Sequence, residues 1–162
     1  MASAAMKYEP GSHAGELDDE TLSETWDHLL DGEEDPTVPE FNEETLSFFR
    51  AVNGIAPTNT SVNQVRIVRF LNFCNDYLST NVAIAKWHIV RNRRWIADRL
   101  DPLVIPIAEL AHGDYLCLDF ADSPAPRVIR WDHERSRPGN PQYHRVSPNL
   151  AAFVAAINQQ ST

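Results

Sequence analysis

The run GDYLCLDF, residues 113–120, decides how the second half of the chain is read. Tyr115, Cys117 and Asp119 alternate with Leu116, Leu118 and Phe120, a period of two that belongs to a strand. One face of that strand reads as core and the other as more polar, which suits an antiparallel sheet. Working outward, LVIPIAEL (103–110), PRVIRWDHE (126–134) and QYHRVS (142–147) are further strand-like runs. Turn chemistry separates them at His112-Gly113-Asp114, at DSPAPR (122–127) and at RSRPGNP (135–141). SPNLAAFVAAIN (147–158) then reads as a closing helix. Ser147 is its expected N-cap and Pro148 its first helical residue, with Leu150, Phe153, Val154 and Ile157 on one face.

Upstream of the strands the period changes. Leu22, Trp26, Leu29 and Leu30 define one face of a helix that ends at Gly32, with Asp18, Asp19 and Glu20 at its positive N-terminal end. EEDPTVPE (33–40) is a proline-punctuated linker. Phe41, Thr45, Phe48, Phe49 and Val52 mark a second helix, stopped by Asn53-Gly54 and Pro57. VNQVRIVRF (62–70) alternates as a strand, and the spacing of Ile84, Trp87, Arg91 and Trp95 predicts a helix over much of 81–98, although Val82, Ile84 and Ile89 also allow a strand. The expectation is an α+β single domain: an antiparallel-rich β-sheet with helices packed on one side and a C-terminal helix. Residues 1–17 are expected to be a flexible acidic segment, and residues 18–162 the domain.

Composition narrows the function classes. A chain of 162 residues with 43% hydrophobic content and four tryptophans suffices for one core. It has no long apolar run to span a membrane, and its first twenty residues lack the basic and apolar stretches of a secretory signal. Cys74 and Cys117 sit among apolar neighbours and read as reduced, buried thiols in a cytoplasmic protein. The net charge of −9 is concentrated in residues 1–50, where 14 acidic residues face only Lys7 and Arg50. Such a surface disfavours nucleic acid and anionic lipid and favours basic partners.

The clusters that suggest chemistry read as structure. Asp132, His133 and Glu134 follow a strand, where neighbouring side chains point to opposite faces, so three in a row do not converge on one metal. They are expected to pair at the strand end with Arg130 or Arg135 while Trp131 packs. His112 and Asp114 lack a nucleophile context, and Gly113 reads as a positive-φ turn. Cys117 lies inside a strand, unlike a reactive thiol. RNRRWIADR (91–99) is interleaved with Asp98 and followed by Asp101, and is read as a salt-bridged helix face rather than a nucleic-acid site.

IPIAELAHGDYLCLDF, then VIRWDHE, then VSPNLAAFVAAI, preceded upstream by LSFFRAVNGIAP, together resemble the SUKH superfamily of immunity and cell-wall-regulator proteins. The likeness covers about residues 40–158. Two positions depart from its pattern: His112-Gly113 stands where a double glycine is usual, and Leu150 where an aromatic is usual. The resemblance implies an α+β fold without catalytic machinery, metal or cofactor. It implies an immunity protein that neutralises a cognate toxin domain, for instance a nuclease with a basic surface, by occluding its active site. A regulatory adaptor is the alternative, and a small metal-dependent hydrolase using Asp132, His133 or His112 a weaker one. The residues expected to meet the partner are Glu33, Glu34, Asp35 and Glu40 at the linker. Asp114, Asp119, Asp132 and Glu134, on the polar sheet face and its loops, complete that set.

Overall fold

The computed structural model describes residues 6–29, 42–73, 85–122 and 125–160. Cys74, Ile84 and the acidic linker with Glu33, Glu34, Asp35 and Glu40 lie outside them. The described chain is a single α+β domain. Helices α1 (Asp19–Leu29) and α2 (Glu43–Val52) precede strands β1 (Ser61–Val62) and β2 (Val65–Phe70). Helix α3 (Ile89–Ile96), extended by a 3-10 turn over Ala97–Arg99, leads into β3 (Val104–Leu110), β4 (Tyr115–Asp119), β5 (Arg127–Trp131) and β6 (Tyr143–Ser147). Helix α4 (Leu150–Gln159) closes the chain. The sheet is a six-stranded antiparallel meander in chain order.

Its two ends nearly meet, as in a barrel. The Gln160 side chain accepts from the Ser61 amide and donates to the Ser61 carbonyl, both at 2.8 Å. Asn63 reaches across to the Arg145 carbonyl at 3.1 Å. Both edge strands thereby lose part of their free backbone, which limits edge-to-edge pairing with other chains.

Local chemistry explains where these elements begin. The Asn42 side chain caps α2 by accepting from the Thr45 amide. Asn149, not Ser147, caps α4 through the Ala152 amide, while Ser147 ends β6 and bonds the Asn149 carbonyl. The single strand expected over 62–70 is a hairpin: Asn63 and Gln64 have φ of 47° and 67° and form a two-residue turn. An Asn-Gln pair carries a weaker turn signal than Asn-Gly, which hides the hairpin in the sequence. A register shift between Ile67 and Arg69 also breaks the alternation, so that Ile67 and Phe70 are both buried.

Opposed residues of antiparallel strands share a face. Phe70, Ala108, Leu116 and Arg130 therefore form one row, and Glu109, Tyr115, Trp131 and Tyr143 another on the opposite face. The first face carries the main helical layer through edge-to-face contacts of Phe48 on α2 with Phe70 and with Phe153 on α4. The second face was expected to be polar, yet Tyr115, Cys117 and Asp119 are all buried. Residues 92–101 cover it. Tyr115 donates to Asn92, the Trp131 indole donates to the Arg99 carbonyl, and the Tyr143 hydroxyl accepts from the Asp101 amide. Three aromatic residues on three neighbouring strands thus use their polar atoms to fasten one segment.

The helix expected over 81–98 is interrupted: residues 85–86 are helical, Trp87 and His88 are not, and α3 begins at Ile89. His88 is extended, bridges to Asn72, and caps the amide of Val90. The buried face is Ile89, Val90, Asn92, Arg93 and Ile96, not the predicted stripe, and Trp95 points outward. Within the basic run, Arg99 makes an ion pair with Asp98 of the kind expected of a salt-bridged face. Arg93 is buried and donates to the carbonyls of Leu29 and Pro102, and Arg99 lies over the Trp131 ring while bonding Asp98. Residues 7–14, expected to be loosely attached, run beside 53–58. Thr58 donates to Lys7, Glu9 to Ala56 and Ala14 to Asn53, with bonds of 2.8 to 2.9 Å.

Candidate functional site

The charged side chains singled out in the sequence fall at two ends of β4. At one end, the β4–β5 register sets Tyr115 opposite Trp131, which brings Asp114 beside the residues that follow β5. Asp114 is buried and is the hub of this end. Its Oδ2 accepts from the Arg130 guanidinium, and its Oδ1 accepts from the His133 amide at 3.0 Å and the His133 ring Nδ1 at 2.7 Å. A carboxylate only accepts, so His133 Nδ1 carries its proton toward Asp114.

Asp132 is buried next to it and organises the following loop. Its Oδ1 accepts from the amides of Glu134 and Arg135, each at 3.1 Å, and its Oδ2 from His144 Nε2 at 2.9 Å. These bonds, led by the one to His144, hold its carboxyl below the usual carboxylate range despite desolvation. Arg135 approaches it only at 3.9 Å and is largely exposed. The strand-end reading of this cluster is what the geometry shows. The alternation argument stops one residue early, because β5 ends at Trp131.

The loop from Asp132 to Gln142 is closed by its own bonds. Asp132 donates its amide to the Gln142 carbonyl, Ser136 Oγ accepts from the Gln142 amide, and Arg137 and Asn140 exchange backbone bonds. The Gly139 amide donates to the Asp98 carbonyl at 2.9 Å, which fastens the loop tip to the 3-10 turn after α3. Glu134, Arg135, Arg137, Pro138 and Asn140 are exposed on this frame. Of the acidic residues proposed for partner contact, Glu134 is therefore at the surface, whereas Asp114 and Asp132 bind the frame from beneath.

Asp119 lies at the other end of β4 and is buried too. It pairs with Arg127 at 2.6 Å and accepts from the Ala121 amide, fixing the turn into β5. Beside it a half-open groove of about 190 Å³ is lined by Asp119, Arg127, Ile129, Tyr143, His144 and Arg145 among others.

His133 with Asp114 matches the orienting half of a catalytic triad. The other half would be a nucleophile, and the described thiol does not serve: Cys117 is fully buried and burial pushes its pKa up. Among the described residues no group of three or more His, Cys, Asp or Glu side chains is placed to hold a metal ion, and no described helix is long and apolar enough to cross a membrane.

Sequence reasoning missed the Asp114–His133 and Asp132–His144 pairs, because each joins residues that only the pairing of neighbouring strands brings together. The available signal was the hairpin register, since pairing Tyr115 with Trp131 sets Asp114 next to Asp132 and His133.

The turn before β4 shows what backbone His112-Gly113 must adopt, where the resemblance expects a double glycine. His112 and Gly113 both have positive φ, 72° and 92°, which is where a double glycine fits. A non-glycine residue there costs about 1–2 kcal/mol, and glycine returns about 0.4–1 kcal/mol through unfolded-chain entropy. His112 is exposed, so His112→Gly is expected to stabilise the fold by roughly 0.5–1 kcal/mol. A higher urea midpoint at unchanged slope is the expected reading; a lower midpoint would show that the imidazole makes a needed contact.

Fold and site together describe an α+β domain whose buried charges brace a loop closed by its own hydrogen bonds. The chain belongs to the SMI1/KNR4 family (SUKH-1), whose model matches residues 39–156. No curated protein and no solved structure matched the chain.

Proposed function

We propose that the chain is an immunity protein that binds and neutralises a cognate bacterial toxin domain by covering its active site. The observation that carries this reading is family membership across residues 39–156, since SUKH-1 includes immunity proteins against polymorphic toxins. The acidic residues Glu33, Glu34, Asp35 and Glu40 supply charge suited to a basic groove such as that of a nuclease. Glu134 adds a carboxylate on a loop whose shape is set before binding, which limits the ordering cost of association. Asp114 and Asp132 act from below by fixing that surface, while Asp119 fixes the turn at the other end of β4.

Co-expression with the protein encoded immediately upstream tests the reading. Rescue of growth together with a co-purifying complex is the expected result. Reversing the charges at Glu33, Glu34 and Glu40 is then expected to weaken the complex and flatten its salt dependence. No toxicity and no complex would remove the immunity role for that neighbour and leave an adaptor for an endogenous protein as the account.

A further inference from the structure

Trp95 is 79% exposed on α3, while Trp87 and Trp131 are buried and Trp26 is partly so. Exposed tryptophan is unusual outside contact surfaces, where Trp and Arg dominate binding energy. Arg91, one turn earlier, is exposed on the same side of the helix, and Arg94 beside them is exposed but already engaged within the chain. This aromatic and basic strip does not stand alone. Helix α1 packs beside α3, and the junction is locked by the buried Arg93 donating to the Leu29 carbonyl at 2.7 Å. Along α1, Glu20, Glu24 and Asp27 are exposed at a spacing of four and three residues, which makes an acidic row on one face.

We propose that the α1–α3 face is a homodimer interface, with the Trp95–Arg91 strip of one copy seated against the acidic row of α1 in a second copy. A two-fold axis makes both contacts at once, because each copy carries both halves of the match. A foreign acidic protein would satisfy the strip and leave the acidic row unmatched. Nucleic acid would be repelled by that same row, which a second copy meets with its own basic strip. The inference does not depend on the immunity reading, and its test uses the chain alone.

Sedimentation velocity of the full chain from micromolar to millimolar concentration is expected to show a monomer–dimer equilibrium that weakens as salt is raised. Trp95→Ala is expected to raise the dissociation constant about thirty-fold, with an unchanged urea midpoint as the check on folding. Arg91→Glu and Glu24→Arg are each expected to impair self-association, and mixing the two variants is expected to restore a dimer containing one of each. That rescue distinguishes contact between copies from a structural effect within one. A monomer at every concentration overturns the proposal, as does a dimer indifferent to all three substitutions, or a monomer that binds a foreign acidic protein through Trp95.

Discussion

Asp114→Ala is expected to lower the unfolding free energy by about 3–5 kcal/mol, the usual result of removing one member of a buried charged pair. The carboxylate is 10% exposed and its Arg130 partner 18%, so water screens the pair little. Removing the carboxylate leaves a guanidinium with no counter-charge and orphans the His133 amide and ring proton. The Arg130 Nε already lacks a hydrogen-bond partner among the described residues, which offer no spare acceptor to relax toward. Asp114→Asn keeps the shape and one acceptor and is expected to cost less. Asp114→Leu combined with Arg130→Met is expected to recover much of the single-variant loss, since replacing both charges removes the desolvation penalty with the attraction. Urea denaturation of the four proteins checks this. A loss below about 1 kcal/mol for Asp114→Ala would mean that the pair behaves as a surface ion pair.

The double-variant outcome bears on why such a pair is retained. If the apolar pair is as stable as the native one, the charges are there for the loop and not for the fold. His133 then loses the anchor that ties the loop to β4, and hydrogen exchange at residues 133–137 is the place to see it.

The reach of the sequence is set by range. Periodicity is local, so β3 to β6, α2 and α4 were legible from alternation and helical spacing. The closing helix was placed two residues early because Ser147 and Asn149 are both good caps, and the choice falls to the strand that claims Ser147. What failed needed partners. Polarity at Tyr115, Cys117 and Asp119 suggested a wetted face, yet a segment 23 to 42 residues upstream of its partners covers it by bonding to the aromatic hydroxyls and indole. Arg93 reads in the sequence as part of a salt-bridged helix face and is buried, with two backbone carbonyls from separate elements converging on it. The site splits the same way. That Asp132, His133 and Glu134 end a strand was legible, whereas the pairing of Asp114 with His133 needed the register between strands.

Trp131→Ala is expected to cost about 3–5 kcal/mol, as for other large aromatic truncations in a packed core. The ring is 2% exposed and packs against Tyr115 at 5.9 Å, with the Arg99 guanidinium over it. Trp131→Phe separates two contributions. It keeps part of the packing but abolishes the bond from the indole to the Arg99 carbonyl, so a loss of about 1–3 kcal/mol is expected. The phenylalanine variant has a second consequence that simple loss of packing lacks. Arg99 sits next to Asp98, whose carbonyl holds the Gly139 amide at the tip of the loop carrying Glu134. Releasing Arg99 is therefore expected to raise hydrogen exchange at Gly139 above the level set by global unfolding. A partner that contacts this loop would bind Trp131→Phe more weakly without any contact residue having changed, because the loop would have to be ordered on binding. Equal protection of Gly139 in both proteins would instead place the rigidity of the loop in its own bonds, from Asp132 through Ser136 to Gln142.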